Sequence, residues 1–134
     1  MTDELTQWLR AQLDGDERIA RGAGGKWIEF PGTDWVNTAP TTEWRPSGSD
    51  HHVAVVALDS DRAHIVAWDP ARVLREIHAK RQILEAHGRL DVGEFCSTCD
   101  APSGIPGRPV GCDTLRLLAL PYTNRPGYRQ EWRP

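Results

Sequence analysis

The sequence predicts an α+β fold: an N-terminal helix, a small Trp-rich antiparallel sheet, and a helical C-terminal half. Three observations predict it. Apolar residues recur at helical spacing over 2–21 and again over 70–87. Between these stretches, short aromatic and β-branched pieces alternate with Pro and Gly breaks. All three cysteines, Cys96, Cys99 and Cys112, fall in an otherwise aperiodic stretch that leads into a last apolar segment.

In the first helix, Thr2 is placed to cap the N-terminus, and Asp3 and Glu4 suit the positive end of the helix dipole. Leu5, Trp8, Leu9, Leu13, Ile19 and Ala20 roughly follow one stripe. Gly15 weakens the middle, and Gly22, Gly24 and Gly25 end the helix. The pieces WIEF, DWVN and TEW, with VAVVAL at 53–58 as the clearest strand, fit an antiparallel sheet of about three strands. Trp27, Trp35 and Trp44 are expected to pack as core, with an aromatic ligand platform as the other reading.

Residues 59–69 read as a short helix. Asp69-Pro70 then starts a second one, with Asp as cap and Pro at the first helical position. That helix runs to about 87, with Val73, Leu74, Ile77 and Leu84 on one face. Asp59 and Asp61 read as caps in the same way, with acid/base or metal chemistry as the other reading of Asp59, Asp61 and Asp69, and His64 reads as a packed helix residue before a ligand. TLRLLAL at 114–120 reads as a buried helix stopped by Pro121, after which Tyr122, Tyr128 and Trp132 dock the tail on the body.

The 134 residues suit a single domain, 1–134, with a helix-and-sheet half (1–60) and a helical half (61–134). No apolar run approaches the ~18–20 residues that span a bilayer. The acidic, amphipathic start is not a signal peptide. Three cysteines, an odd count, do not fit a secreted disulfide framework, and a cytoplasmic chain is expected. Residues 1–61 carry five Lys/Arg against eleven Asp/Glu, and residues 62–134 carry eleven against eight. This mild basic balance in the second half is thinner than the stripe of a nucleic-acid binder.

The chemistry concentrates in 87–112. Cys96 and Cys99 have the two-residue spacing that lets two thiolates chelate one ion from a tight turn. Cys112 follows at the mouth of the next helix, where free N–H groups favour a thiolate. His87, ending the long helix, is the best fourth ligand, giving H-x8-C-x2-C-x12-C; His78, His64 and Asp113 are the runners-up. The expectation is one structural Zn2+ per chain on His87, Cys96, Cys99 and Cys112, a zinc knuckle stapling the helical half and ordering a long loop. A redox pair and unliganded thiols are the competing readings. His51 and His52 follow a Ser-Gly-Ser-Asp loop and read as solvated.

The stretches AHIVAWDPARVLREIHAKRQILEAH, CSTC and CDTLRLLALPYTNRPGYRQEWRP resemble a small family of unknown function spread among actinobacteria and their phages. Its pattern is HIAxxDPARVL, a histidine ending that helix, CxxC, and CxTLRxLALPY. Here Val66 stands where Ala is usual. The resemblance implies that His87, Cys96, Cys99 and Cys112 are its recurring metal-type positions, and it implies no activity. A more distant likeness points to small accessory proteins of temperate phages.

No nucleophile elbow, phosphate loop, dinucleotide fingerprint or HExxH occurs. The chain is therefore expected to be a protein-interaction adaptor or phage accessory factor and not an enzyme. A nucleic-acid-binding accessory role, with a helix–turn–helix at 61–87, is the alternative.

Overall fold

The computed structural model describes residues 4–39, 52–89, 95–99, 101–102, 104–105, 108–109 and 111–134. The architecture is α+β. Helix α1 (Glu4–Gly22) precedes strands β1 (Trp27–Glu29), β2 (Trp35–Thr38) and β3 (His52–Val55). Helices α2 (Asp59–Ala67) and α3 (Pro70–His87) follow. Four two-residue strands come next: β4 (Phe95–Cys96), β5 (Ala101–Pro102), β6 (Gly104–Ile105) and β7 (Arg108–Pro109). Helix α4 (Asp113–Ala119) and two 3-10 turns, Leu120–Tyr122 and Gln130–Trp132, complete the chain. Among the described residues no helix is long and apolar enough to cross a membrane. Contacts divide the chain into two compact units, Met1–Gly15 with Ile77–Pro134, and Asp16–Glu76.

Within Asp16–Glu76 the sheet is antiparallel in the order β1-β2-β3. Trp27 faces Thr38 across β1/β2, and Trp35 faces Val55 across β2/β3, with an irregularity between Val36 and Asn37. The β1–β2 turn closes when the Phe30 N–H donates to the Trp35 carbonyl at 3.0 Å. Thr33 braces it, donating from Oγ1 to the Phe30 carbonyl at 2.9 Å and accepting from the Trp35 N–H at 3.1 Å. Arg62 of α2 is buried and donates to the Val56 and Ala57 carbonyls and to the carboxylates of Asp34 and Asp59. Its charge is thus removed from bulk water but fully engaged.

Asp69 caps α3 as the sequence predicts: its Oδ1 accepts the Arg72 N–H at 2.8 Å. Its Oδ2 takes the Trp27 N–H at 3.2 Å, so one buried carboxylate also fastens the first strand to the helix start. Asp59 plays a different part from the expected cap. The cap position belongs to Leu58, and Asp59 lies in the first turn, paired with Arg62.

The other unit is built on Leu5, Leu9 and Leu13, all at 0% exposure, with Ile77, Leu84, Leu115 and Ala119 buried beside them. Burying each such leucine contributes about 1.5–3 kcal/mol. Gly15 does not interrupt α1. The tail docks as predicted. The Trp8 ring meets Tyr122, Tyr128 and Trp132 with centroids 6.5, 5.7 and 5.3 Å away, and its Nε1 donates to the Pro126 carbonyl at 3.1 Å. Gly127 makes this approach possible: its φ is 84°, and a Cβ there would lie 2.9 Å from Trp8 Nε1.

Several burial expectations are corrected. Ile19 is 72% exposed, because it lies about 240° around the helix from Leu13 while Ala20 returns to the stripe. Leu117 and Leu120 are exposed, so α4 buries only the face of Leu115 and Ala119. Trp35 and Val55 are cross-strand partners on one outward face and both are exposed, so Trp35 is not core. Trp27 is half-buried, and Trp44, with the TEW piece, lies outside the described residues. His64 is exposed beside Trp68, not packed inside.

Replacing Asp69 by Ala removes the cap of α3 and the acceptor for the Trp27 N–H together. We expect a loss of about 1–2 kcal/mol in urea unfolding monitored by Trp fluorescence.

Candidate metal centre

Three separate pieces of the chain bring four donors together. His87 is the last residue of α3. The helix closes there with the Gly88 N–H donating to the Leu84 carbonyl at 2.7 Å. Gly88 is buried, and a Cβ on it would lie 2.5 Å from the Leu84 carbonyl oxygen and 2.9 Å from Thr6 Cγ2. Only a residue without a side chain lets the chain turn away at this point while His87 keeps its place on the helix.

The CxxC pair forms a knuckle on a short hairpin, where β4 pairs with β5 with Cys96 opposite Ala101. Cys96 is fully buried, and Cys99, in the turn, is exposed. Thr98, between them, donates its hydroxyl to the Ala86 carbonyl. That carbonyl belongs to the last turn of α3, where carbonyls lack helical partners, so the knuckle ties itself to the helix end. The third piece is the start of α4. Gly111 has φ 81°, a left-handed conformation that favours glycine, and it delivers Cys112 to the N-cap position, 1% exposed.

The sulfurs of Cys96, Cys99 and Cys112 lie 3.5, 3.1 and 3.6 Å from His87 Nδ1. All four donor atoms lie within 4.8 Å of one another. A tetrahedral ion with metal–sulfur bonds near 2.3 Å and metal–nitrogen bonds near 2.05 Å places sulfur and nitrogen about 3.6 Å apart. The three sulfur–nitrogen separations are thus close to those of a Cys3His shell, and the cluster could hold a metal ion.

The two buried thiols differ. Burial pushes Cys96 up, but the N–H groups of Cys99 and Thr98 and the thiols of Cys112 and Cys99 hydrogen-bond to it and bring it below the ordinary thiol value. Burial pushes Cys112 up to about 11, with the Leu115 N–H opposing and the neighbouring Cys96 charge adding to the rise. The helix terminus therefore favours the Cys112 thiolate as predicted, but without a cation burial and the adjacent sulfur outweigh it. A cation held at this cluster would reverse the balance and favour the Cys112 thiolate.

The runners-up from the sequence are elsewhere. His78 is exposed, 3.3 Å from Gln82. His64 is exposed near Trp68. Asp113 is exposed and paired with Arg116. His51 lies outside the described residues. The contributions of Thr98, Thr114 and Gly88 escaped the sequence reading. The hydroxyl inside the CSTC knuckle, directly before Cys99, is the sequence signal for Thr98. Thr114 Oγ1 sits 3.7 Å from Cys99 Sγ.

The family model matches residues 2–134. The chain belongs to DUF6221, a family of unknown function. Comparison with curated proteins finds no match, and neither does comparison with solved structures. Membership of DUF6221 agrees with the resemblance read from the sequence and adds no activity to the cluster.

Gly88→Ala is expected to cost about 1–3 kcal/mol in chemical denaturation, the range for overpacking a filled site. The same variant should bind Zn2+ more weakly in a competition titration against a chromogenic chelator, since the clash lies next to His87.

Proposed function

We propose that the chain is a small protein stapled by one structural zinc ion on His87, Cys96, Cys99 and Cys112, and that it serves as a protein-interaction adaptor. The observation that carries the metal reading is the convergence of three sulfurs on His87 Nδ1 at 3.1–3.6 Å. A donor set of three thiolates and one imidazole favours zinc over the harder divalent ions. Four protein ligands fill the shell and leave no position for a reactive water, so the ion acts as a staple and no catalytic step is assigned to it.

The adaptor reading is supported by the outward face of the sheet. Phe30, Trp35 and Val55 are all exposed; the Phe30 and Trp35 rings are 6.3 Å apart, and Trp35 and Val55 are cross-strand partners. Tryptophan is enriched among the residues that dominate binding energy. The nucleic-acid reading draws less support, because Arg81, Arg116 and Arg129 are each engaged by a carboxylate. A phage accessory role rests on sequence likeness alone.

Elemental analysis of protein purified without chelators should find about one zinc per chain. Cys96→Ser should lose the zinc and unfold at lower denaturant. Zinc-free wild-type protein that is nonetheless folded overturns the metal reading. For the adaptor reading, cross-linking in the native host should capture a partner that Trp35→Ser, folded by circular dichroism, no longer retains. Identical capture by both proteins counts against that surface.

A further inference from the structure

We infer that the cluster is also a redox-sensitive release point, at which a peroxide attacks Cys99 first; this rests on the zinc reading above. The three sulfurs are not equivalent. Cys96 and Cys112 are 0% and 1% exposed, whereas Cys99 sits in an exposed turn together with Ser97 and Thr98. A thiolate reacts with an oxidant that can reach it, so access selects Cys99. Its sulfur has a hydroxyl neighbour, Thr114 Oγ1 at 3.7 Å. Donation from that hydroxyl withdraws electron density from the thiolate. Thr114 is therefore a positioning residue that slows the attack, and it stands on the helix that Cys112 begins.

The chemistry closes with hydrogen peroxide as the oxidant. The Cys99 thiolate attacks one peroxide oxygen; a sulfur–oxygen bond forms, the oxygen–oxygen bond breaks, and hydroxide leaves. Cys99, now a sulfenic acid, is a poor metal ligand. The Cys96 thiolate, three positions back along the knuckle, attacks the Cys99 sulfur; the disulfide forms and a second hydroxide leaves. Together the two thiolates lose two electrons and one peroxide is reduced to two hydroxides, which are neutralised by the buffer acid. His87 and Cys112 alone remain for the ion, and two ligands do not hold zinc as four do. The ion departs, and the tie between the end of α3, the knuckle and the start of α4 is undone. A thiol reductant restores the dithiol.

The test uses full-length protein shown beforehand to contain zinc. It is treated with hydrogen peroxide while a chromogenic chelator reports free zinc, and a sulfenate-trapping 1,3-diketone marks the first oxidised sulfur for peptide mass spectrometry. We expect zinc release in step with disulfide formation, a trapped adduct on Cys99, and re-uptake of zinc after reduction. Thr114→Val should speed release about two- to tenfold, the effect of losing one hydrogen bond, while Thr114→Ser keeps the wild-type rate. First adducts on Cys96 or Cys112 overturn the assignment to Cys99. Equal rates for Thr114→Val and wild type overturn the role of Thr114. Zinc retained under excess peroxide overturns the release itself and leaves the structural zinc reading standing. Protein that never held zinc overturns both.

Discussion

Three sulfurs meeting one imidazole nitrogen bring the end of α3, the CxxC knuckle and the start of α4 to one point. Among the described residues between these helices, the strand pairs, β4 with β5 and β6 with β7, are two residues long. Strands this short bring few ladder bonds to offset the entropy of ordering a connection. A metal ion held by the donor cluster would supply a constraint at three points. It would fix the last residue of one helix, both cysteines of the knuckle, and the cap of the next helix. Thr98 reinforces it by taking up a carbonyl of the α3 terminus.

The surroundings of the cluster follow from that demand. Gly88 and Gly111 sit directly beside His87 and Cys112, one because a Cβ would strike the Leu84 carbonyl and Thr6, the other because its φ is positive. Burial of Cys96 and Cys112 places thiols in a setting that resists charge, and only hydrogen bonds or a cation make a thiolate favourable there. A site of this kind is poised for a metal: its geometry is set by packing, and its charge is left to be balanced by an ion.

Elsewhere the fold relies on single side chains with two tasks. Asp69 caps a helix and accepts a strand N–H. Arg62 gathers two carbonyls and two carboxylates. Trp8 organises the tail through three aromatic rings and one hydrogen bond. In each case a polar or aromatic group replaces the larger apolar core that a chain of 134 residues has limited room to build.

By itself the sequence determined the helices, the sheet class and the donor set. Periodicity, the Asp-Pro start and the cysteine spacing are local signals, written in residues a few positions apart. Leu5, Leu9 and Leu13 announced their face, and H-x8-C-x2-C-x12-C announced its four donors. What only the tertiary structure decided is which apolar residues face inward and which small residues permit close approach. Ile19 and Leu117 look like core by composition, but their angular position turns them out. Trp35 looks like core by type, but its strand face is open. Thr114 gained its place by Cys99 only when a hairpin turn and a helix start met, fifteen positions apart. The physical reason is the same for all: burial and second contacts depend on what another segment presents across space, and no local pattern encodes that neighbour.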